Sequence, residues 1–488
     1  MTVVQPDTLR ITPAFLRQLA DIVSPQRLLS STDELLVYEC DGYIVEKTVP
    51  DVVVFPETAD QVQAIVRACV SQSVPFVPRG AGTSLAGGCL PVGGGVMISL
   101  TRMRQICEIN VRDRYAVVEP GVVNLNLSRA LAGTGFHYAP DPSSQGACTI
   151  GGNVATNSGG PHTLKYGVTV NHVLGVEFVA PDGELHQLGG PLGRADDYDL
   201  AGLFVGSEGT FGIVTRVWVR LTRNPPAVRT LLAVFDSIDD TTQTISNIIG
   251  AGIVPAALEM IDQGIIQALE DAFEYGFPRD AAAVLIIEVD GLEVSVAAES
   301  EQIETLCAAS GAREIRVAQS EADRQLLWKC RKQAFGAIGR LSPSYCTQDG
   351  VVPRTRVPEI LRFIADVGQR HDLRILNVFH AGDGNLHPVL LFDERDPAQM
   401  QRVLQASDEI LSQCIALGGS VTGEHGIGVE KVSFMNRLFS DTDLQVMEDV
   451  RLAFNPSGLC SPGKLLPTAG ACGTEHIQKK HPGRRAAM

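Results

Sequence analysis

Basic residues are scarce in this chain: 40 lysines and arginines stand against 56 aspartates and glutamates, a formal charge of −16. A protein of that sign repels nucleic-acid backbones, so no nucleic-acid partner is expected. It repels small anions too, so any acid it binds must be held by local cations. Paired cysteines are missing as well. The eleven cysteines, at 40, 69, 89, 107, 148, 307, 330, 346, 414, 460 and 472, include no Cys-x-x-Cys spacing. An iron–sulfur cluster or structural zinc site is therefore not expected within the chain. Their odd number and irregular spacing suit free thiols in a reducing compartment. The opening residues MTVVQPDTLR lack a basic stretch followed by an apolar core, which argues against a secretory signal. The most apolar stretch, 281–289, is far short of a membrane span. These absences predict a cytoplasmic protein that meets a membrane only through a partner.

What is present is the composition of a soluble globular protein, 44% hydrophobic and 20% charged over 488 residues, too long for one ordinary core. Between 57 and 71, Val62, Ile65, Val66, Cys69 and Val70 fall on one helical face. Strands are predicted at 74–78, 96–100, 115–119 and 212–221, a helix at 124–131, and a hairpin over 173–188 around Pro181-Asp182-Gly183. From 140 to 167 the chain is rich in Gly, Ser, Asn and Pro without hydrophobic period, and is expected to be a long irregular, functional region. After Asn224-Pro225-Pro226 the pattern changes to strands near Leu231, 282–289 and Ile315, with helices at 295–309 and 321–339. The fold class expected is α+β. The boundaries are a helical segment at 1–46, a glycine-rich domain at 47–225, a second α+β domain at 226–428, a segment at 429–465 that returns to the first, and a mobile tail at 466–488.

The loop Pro78-Arg79-Gly80-Ala81-Gly82-Thr83-Ser84 can converge several backbone N–H groups on phosphate oxygens, because glycines permit φ > 0 and close approach. It is neither a Rossmann fingerprint, since Leu85 replaces the third glycine, nor a P-loop, since no Gly-Lys-Ser/Thr follows. On its own a tight βα turn explains it equally well. Three further segments carry more glycine and small polar residues than turns require: Pro140-Asp141-Pro142-Ser143-Ser144, the run 149–160 including Gly151, Gly152, Asn157 and Gly159, and the run 206–215 including Glu208, Gly212 and Ile213.

Together the four segments, in this order, resemble the FAD-binding domain of the vanillyl-alcohol oxidase superfamily. The resemblance implies that 47–225 is a two-subdomain FAD-binding domain followed by an α+β substrate (cap) domain. It implies that Pro78 and the stretch Arg79, Gly80, Ala81, Gly82, Thr83, Ser84 surround the FAD diphosphate. Pro140, Asp141, Ser143, Ser144, Gly151, Gly152, Asn157 and Gly159 would line the isoalloxazine and ribityl chain. Glu208, Gly212 and Ile213 would complete the site, with Ile213 against the adenine. Some superfamily members attach flavin covalently to a histidine in the first loop; 78–88 contains none, so noncovalent FAD is expected.

In the second domain, His380-Ala381-Gly382-Asp383-Gly384-Asn385-Leu386-His387 lies between apolar runs and reads as a hairpin with Asp383-Gly384 as a two-residue type I′ loop. In that register 380 pairs with 387, and the two imidazoles stand opposite each other with Cβ atoms about 5 Å apart. Glu424, in Thr422-Gly423-Glu424-His425-Gly426-Ile427-Gly428, supplies a carboxylate. His380, His387 and Glu424 then form a two-His, one-carboxylate set suited to zinc, manganese or iron. Packing of these histidines on the core is the plainer alternative, weakened by the crowding of histidines at 371, 380, 387 and 425.

These motifs, with the terminal Pro462-Gly463-Lys464, also resemble the C-terminal domain of FAD-linked oxidases, a family that includes glycolate oxidase FAD subunits, D-lactate dehydrogenases and D-2-hydroxyglutarate dehydrogenases. The resemblance covers roughly 30–465. It implies hydride transfer from a small D-2-hydroxy acid to flavin N5, with His425 taking the hydroxyl proton, the metal holding the hydroxyl and one carboxylate oxygen, and Arg331 binding the carboxylate. Ser461 replaces the usual asparagine of the terminal motif. No lysine stands within Tyr345-Cys346-Thr347-Gln348 for a distal carboxylate, which favours a short monocarboxylic acid such as glycolate or D-lactate over a larger one. With no cluster-binding cysteines here, electrons are expected to leave through an iron–sulfur subunit or another acceptor.

Overall fold

The computed structural model describes residues 11–191 and 198–467; Cys472 and nearly all of the expected mobile tail lie outside the described residues. The helix Pro13–Val23 begins at Thr12, whose side chain accepts from Phe15 N–H, and buries Phe15, Leu19 and Val23 on one stripe. The helix Ala59–Ser71 is capped in the same way by Thr58 and buries Val62, Ile65, Val66 and Cys69. Both stripes cover a four-stranded sheet in the order Leu28–Leu29, Val52–Val54, Val96–Ser99, Phe76–Arg79, of which the last three are parallel. Strands enclosed on both faces read as unbroken apolar runs, as Val52-Val53-Val54 does. Residues 459–461 join the outer edge: Phe76 N–H donates to Leu459 O and Ser461 N–H to Phe76 O.

A second sheet, antiparallel, has the order Ile106–Asn110, Tyr115–Val118, Ile213–Arg220, Val173–Val179, Leu185–Gly189. The predicted hairpin of 173–188 forms its edge. The region 140–167 is less irregular than expected. It contains the helix Ile150–Thr156, capped by Thr149 and anchored by buried Ile150 and Val154, and the single turn Thr163–Tyr166. A helix of 7 residues with two glycines offers too few apolar positions for a period to emerge.

The cap is a larger sheet led by five antiparallel strands, Glu314–Val317, Ala227–Phe235, Ala283–Gly291, Ala257–Asp262 and Arg374–His380. One face packs against the helices Ile238–Gly250, Glu293–Ala309, Val357–Arg370 and Pro397–Ala416. The other face carries Gln263–Phe273 and Glu321–Ile338. With the two flavin-domain sheets this is the expected α+β architecture.

The 380–387 hairpin departs from its predicted register. His380 pairs with Asn385, and Asn377 with Pro388, so the loop is four residues, 381–384. Only Gly384 has positive φ (79°), whereas a type I′ turn needs two such residues. Contacts from elsewhere shape the loop: Gly382 N–H donates to Leu258 O, Arg354 donates to Gly382 O, and Asp383 accepts from Asn385 N–H. The shift is two residues, so both histidines keep the same face and become diagonal neighbours.

Candidate active site

The parallel strand Phe76–Arg79 ends at the loop 80–84, where open α/β sheets place their ligands. A cavity of about 360 Å³ begins there and continues to the cap. Its wall includes Pro78, Arg79, Gly80, Ala81, Gly82, Thr83, Ser84, Ser143, Ser144, Gly151, Gly152, Glu208 and Gly212, and at the far end His387, Glu424 and His425. The glycines are required by space. A Cβ on Gly80 would stand 2.5 Å from Thr149 Oγ1, and one on Gly82, at φ +72°, 2.2 Å from Arg79 Nη2. The hydroxyl oxygens of Ser84 and Ser207, both in the wall, are buried without a hydrogen-bond partner, as suits a large polar cofactor. The Arg79 guanidinium packs against Gly82 and is held there: Nη1 donates to Cys40 O at 3.0 Å and to Cys89 Sγ at 3.1 Å, and the group lies over Tyr38.

Five expected cofactor residues stand outside that wall, each for a local reason. Asp141 is engaged by His162 at 2.8 Å, and Pro140 O accepts from Asn124. Asn157 ends the helix Ile150–Thr156 at φ 51° and accepts from Val170 N–H. Gly159 packs against Glu424, and Ile213 is fully buried in the core. Local sequence marks the segments but not which residues of each face inward. Thr149, Asn153 and Ser207, also in the wall, lie in the glycine-rich runs 149–160 and 206–215 without having been singled out there, and Cys89 lies just beyond the first loop.

At the cap end, His380 Nε2 and His387 Nε2 lie 3.1 and 3.2 Å from the same oxygen, Glu424 Oε1. The two rings are 5.1 Å apart and perpendicular. Each ring's Nδ1 meets an acceptor, Glu259 Oε1 at 2.7 Å for His380 and Gln348 O at 3.3 Å for His387, which turns both Nε2 atoms inward. The two imidazoles and the carboxylate bring one ligand atom each close enough together to fit a divalent ion. Their charges respond accordingly. Burial would lower the His380 pKa, but Glu259 and Glu424 outweigh it and hold it well above the usual value. Burial would raise Glu424, but His380 and His387 hold it well below the carboxylate range.

His425 stacks on His387 with ring centroids 4.9 Å apart, and its Nδ1 is buried without a partner. Burial lowers its pKa to about 4, outweighing the pull of Asp349, so the ring is neutral at neutral pH. Its turn is held by two carboxylates. Asp349 Oδ2 accepts from Thr422 Oγ1 and from the N–H groups of Gly423, Glu424 and His425, at 2.6 to 3.1 Å. Glu208 reaches from the flavin domain to accept from Ile427 and Gly428 N–H, both at 2.7 Å. Gly428, at φ +54°, lies so close that a Cβ would be 1.9 Å from Ala86 O. Glu208 therefore lines the cavity and also fastens the cap turn to the flavin domain.

Arg331 sits behind the wall rather than in it. It is 1% exposed, its Nε donates to Glu259 Oε2 at 2.7 Å, and both Nη atoms are buried without partners. Its neighbour Lys332 lines the cavity, together with Phe335 and Tyr345. Sequence reading passed over Lys332, Asp349 and Glu259, since a charge in a helix or strand carries no signal until the fold supplies its partner.

The fold is similar to that of p-cresol methylhydroxylase with substrate bound, at a TM-score of 0.80 and 16% identity, covering 92% of this chain and 96% of that one. The fold is of vanillyl-alcohol-oxidase type, and within it the model of the FAD binding domain matches residues 50–189. The model of the FAD linked oxidases, C-terminal domain, matches 224–465, and the chain belongs to that family of FAD-linked oxidases. It is 44% identical to the glycolate oxidase subunit GlcD of Escherichia coli over 96% of this chain and 94% of that protein. It is 29% identical to a D-lactate dehydrogenase of Anaerostipes hadrus over 93% of this chain and 98% of that one.

Proposed function

We propose that the chain oxidises a small D-2-hydroxy acid, glycolate or D-lactate, to the 2-oxo acid, with FAD and a divalent ion bound at His380, His387 and Glu424. The observation that carries this reading is the single cavity joining the glycine loops to His387, Glu424 and His425. Bound FAD supplies the hydride acceptor, and a bound zinc, manganese or iron ion supplies a Lewis acid that acidifies the substrate hydroxyl. The chain's own residues do the rest. Neutral His425 accepts the hydroxyl proton at its bare Nδ1. The ammonium of Lys332 in the wall attracts the carboxylate into a protein whose overall charge opposes it, and the buried guanidinium of Arg331 behind the wall adds to that positive field. Phe335 and Tyr345 shorten the space beyond.

The glycolate oxidase relative is named as a subunit, and this chain has no cluster-binding cysteine pattern, so an iron–sulfur partner is the proposed electron acceptor. Among the described residues no helix is long and apolar enough to cross a membrane, consistent with a cytoplasmic chain that reaches a membrane through that partner. FAD is proposed to be noncovalent, so acid denaturation should release all the yellow colour from the protein.

Anaerobic flavin bleaching against a panel of hydroxy acids, with and without chelator, tests the reading. Rapid bleaching by glycolate or D-lactate, slowed by chelator, is expected. Bleaching by L-acids alone would sink the stereochemical claim, and chelator-insensitive bleaching would remove the metal. One observation favours a second reading: Lys332, free of any ion pair among the described residues, offers a cation for a distal carboxylate. Preference for D-2-hydroxyglutarate in the same panel would establish it.

A further inference from the structure

The cap contains a buried carboxylate that has no part in the proposed proton or hydride step. Glu259 is 0% exposed, on the strand Ala257–Asp262, directly opposite His380 in the antiparallel register. Its two oxygens serve two different partners: Oε1 lies 2.7 Å from His380 Nδ1 and Oε2 2.7 Å from Arg331 Nε. A carboxylate at Nδ1 holds that proton in place and turns Nε2 toward Glu424. Engaging Arg331 through Nε alone leaves Nη1 and Nη2 bare, although a guanidinium so deeply buried should have all its donors satisfied. Those two groups lack an anion, and the nearest acid is already spent on the histidine and on Nε.

We infer that Glu259 is the positioning residue that sets both halves of the substrate site, one oxygen aligning His380 for the metal and the other fixing the Arg331 guanidinium behind the wall, where its charge draws the substrate carboxylate. The inference rests on the metal and hydroxy-acid reading above. It also gives the two sites a physical link. With an ion held at Nε2, His380 would draw charge from Glu259 through its Nδ1–H, and the guanidinium would be freer to attract an incoming carboxylate. By linkage the carboxylate then tightens the ion to the same extent.

The test uses the full chain loaded with FAD. Zinc affinity is measured by competition with a chromophoric chelator, beside the KM and kcat for the best hydroxy acid, in wild type, Glu259→Gln, Glu259→Asp and His380→Ala. Glutamine keeps the shape but has a single acceptor oxygen; aspartate keeps the charge but cannot reach both partners. Both should bind zinc about 10- to 100-fold more weakly and show a raised KM, as loss of a histidine-orienting carboxylate does elsewhere. FAD content should be unchanged. If His380→Ala holds zinc as tightly as wild type, the metal reading itself fails. If His380→Ala loses zinc while the aspartate variant, or a folded glutamine variant, matches wild type, the role of Glu259 is overturned.

Discussion

His425 and Lys332 illustrate how burial assigns tasks to ionisable side chains. Enclosed and stacked on His387, His425 is kept neutral, with its Nδ1 unpartnered. Replacing it by glutamine, which preserves a polar side chain without a base, should lower kcat about 100- to 10,000-fold while FAD and zinc contents stay constant, as stopped-flow reduction and metal analysis would register. Lys332 is exposed and unpaired at the cavity, so its contribution is attraction rather than fixed geometry. Lys332→Gln should raise KM several-fold at low salt with kcat nearly intact, and the difference should shrink toward 0.5 M salt as screening grows. An equal effect at all ionic strengths would instead indicate a rigid contact.

The helix Glu321–Ile338 brings Arg324, Trp328, Arg331 and Phe335 to one side at three- and four-residue spacing. Arg324 and Trp328 donate to Glu288 at 3.2 and 2.6 Å, Arg331 donates to Glu259, and Phe335 reaches the cavity. Its polar stripe therefore meets buried acids on the cap sheet; of these residues the sequence singled out Arg331 alone, and for a substrate carboxylate rather than for Glu259. The helix Ala59–Ser71 is the simpler case, with its apolar stripe on an apolar sheet. Ile65, fully buried there, should cost about 2–5 kcal/mol when cut to alanine, measured by urea unfolding, with metal affinity untouched. The hairpin 380–387 lies between these cases. Its turn residues were visible, but its register followed Leu258 and Arg354, which lie far away in the chain.

Flavin domain and cap are also joined by ionic contacts among residues that do not line the cavity. His162 of the flavin domain lies between Asp141 at 2.8 Å and Glu288 of the cap at 3.2 Å, while Lys165 and Tyr166 bind Asp290. Burial works against the charged ring, but the two carboxylates raise its pKa to about 10. Since the folded value exceeds the ordinary 6.5, this contribution to stability is complete below about pH 6.5 and is lost as pH rises through about 10. The melting temperature should accordingly fall between pH 7 and 10, and His162→Asn should flatten that slope; an unchanged slope would dissociate the latch from His162.

Sequence alone determined what is chemically local. A backbone that must approach a phosphate needs glycine at that position, paired imidazoles and a nearby carboxylate mark a cluster of ligand-bearing side chains, and an apolar stripe announces a buried helix. It therefore carried the α+β class, the cofactor loops and the His380, His387, Glu424 and His425 set. Tertiary structure decided everything that depends on a distant partner. It put Glu259 across from His380, 121 positions along the chain, gave Asp349 the task of holding the catalytic turn, and separated Arg331 from Lys332 by turning one inward and the other to the cavity. A lone charged residue has the same local sequence whether it is solvated or buried against its opposite, and only the packed chain distinguishes the two.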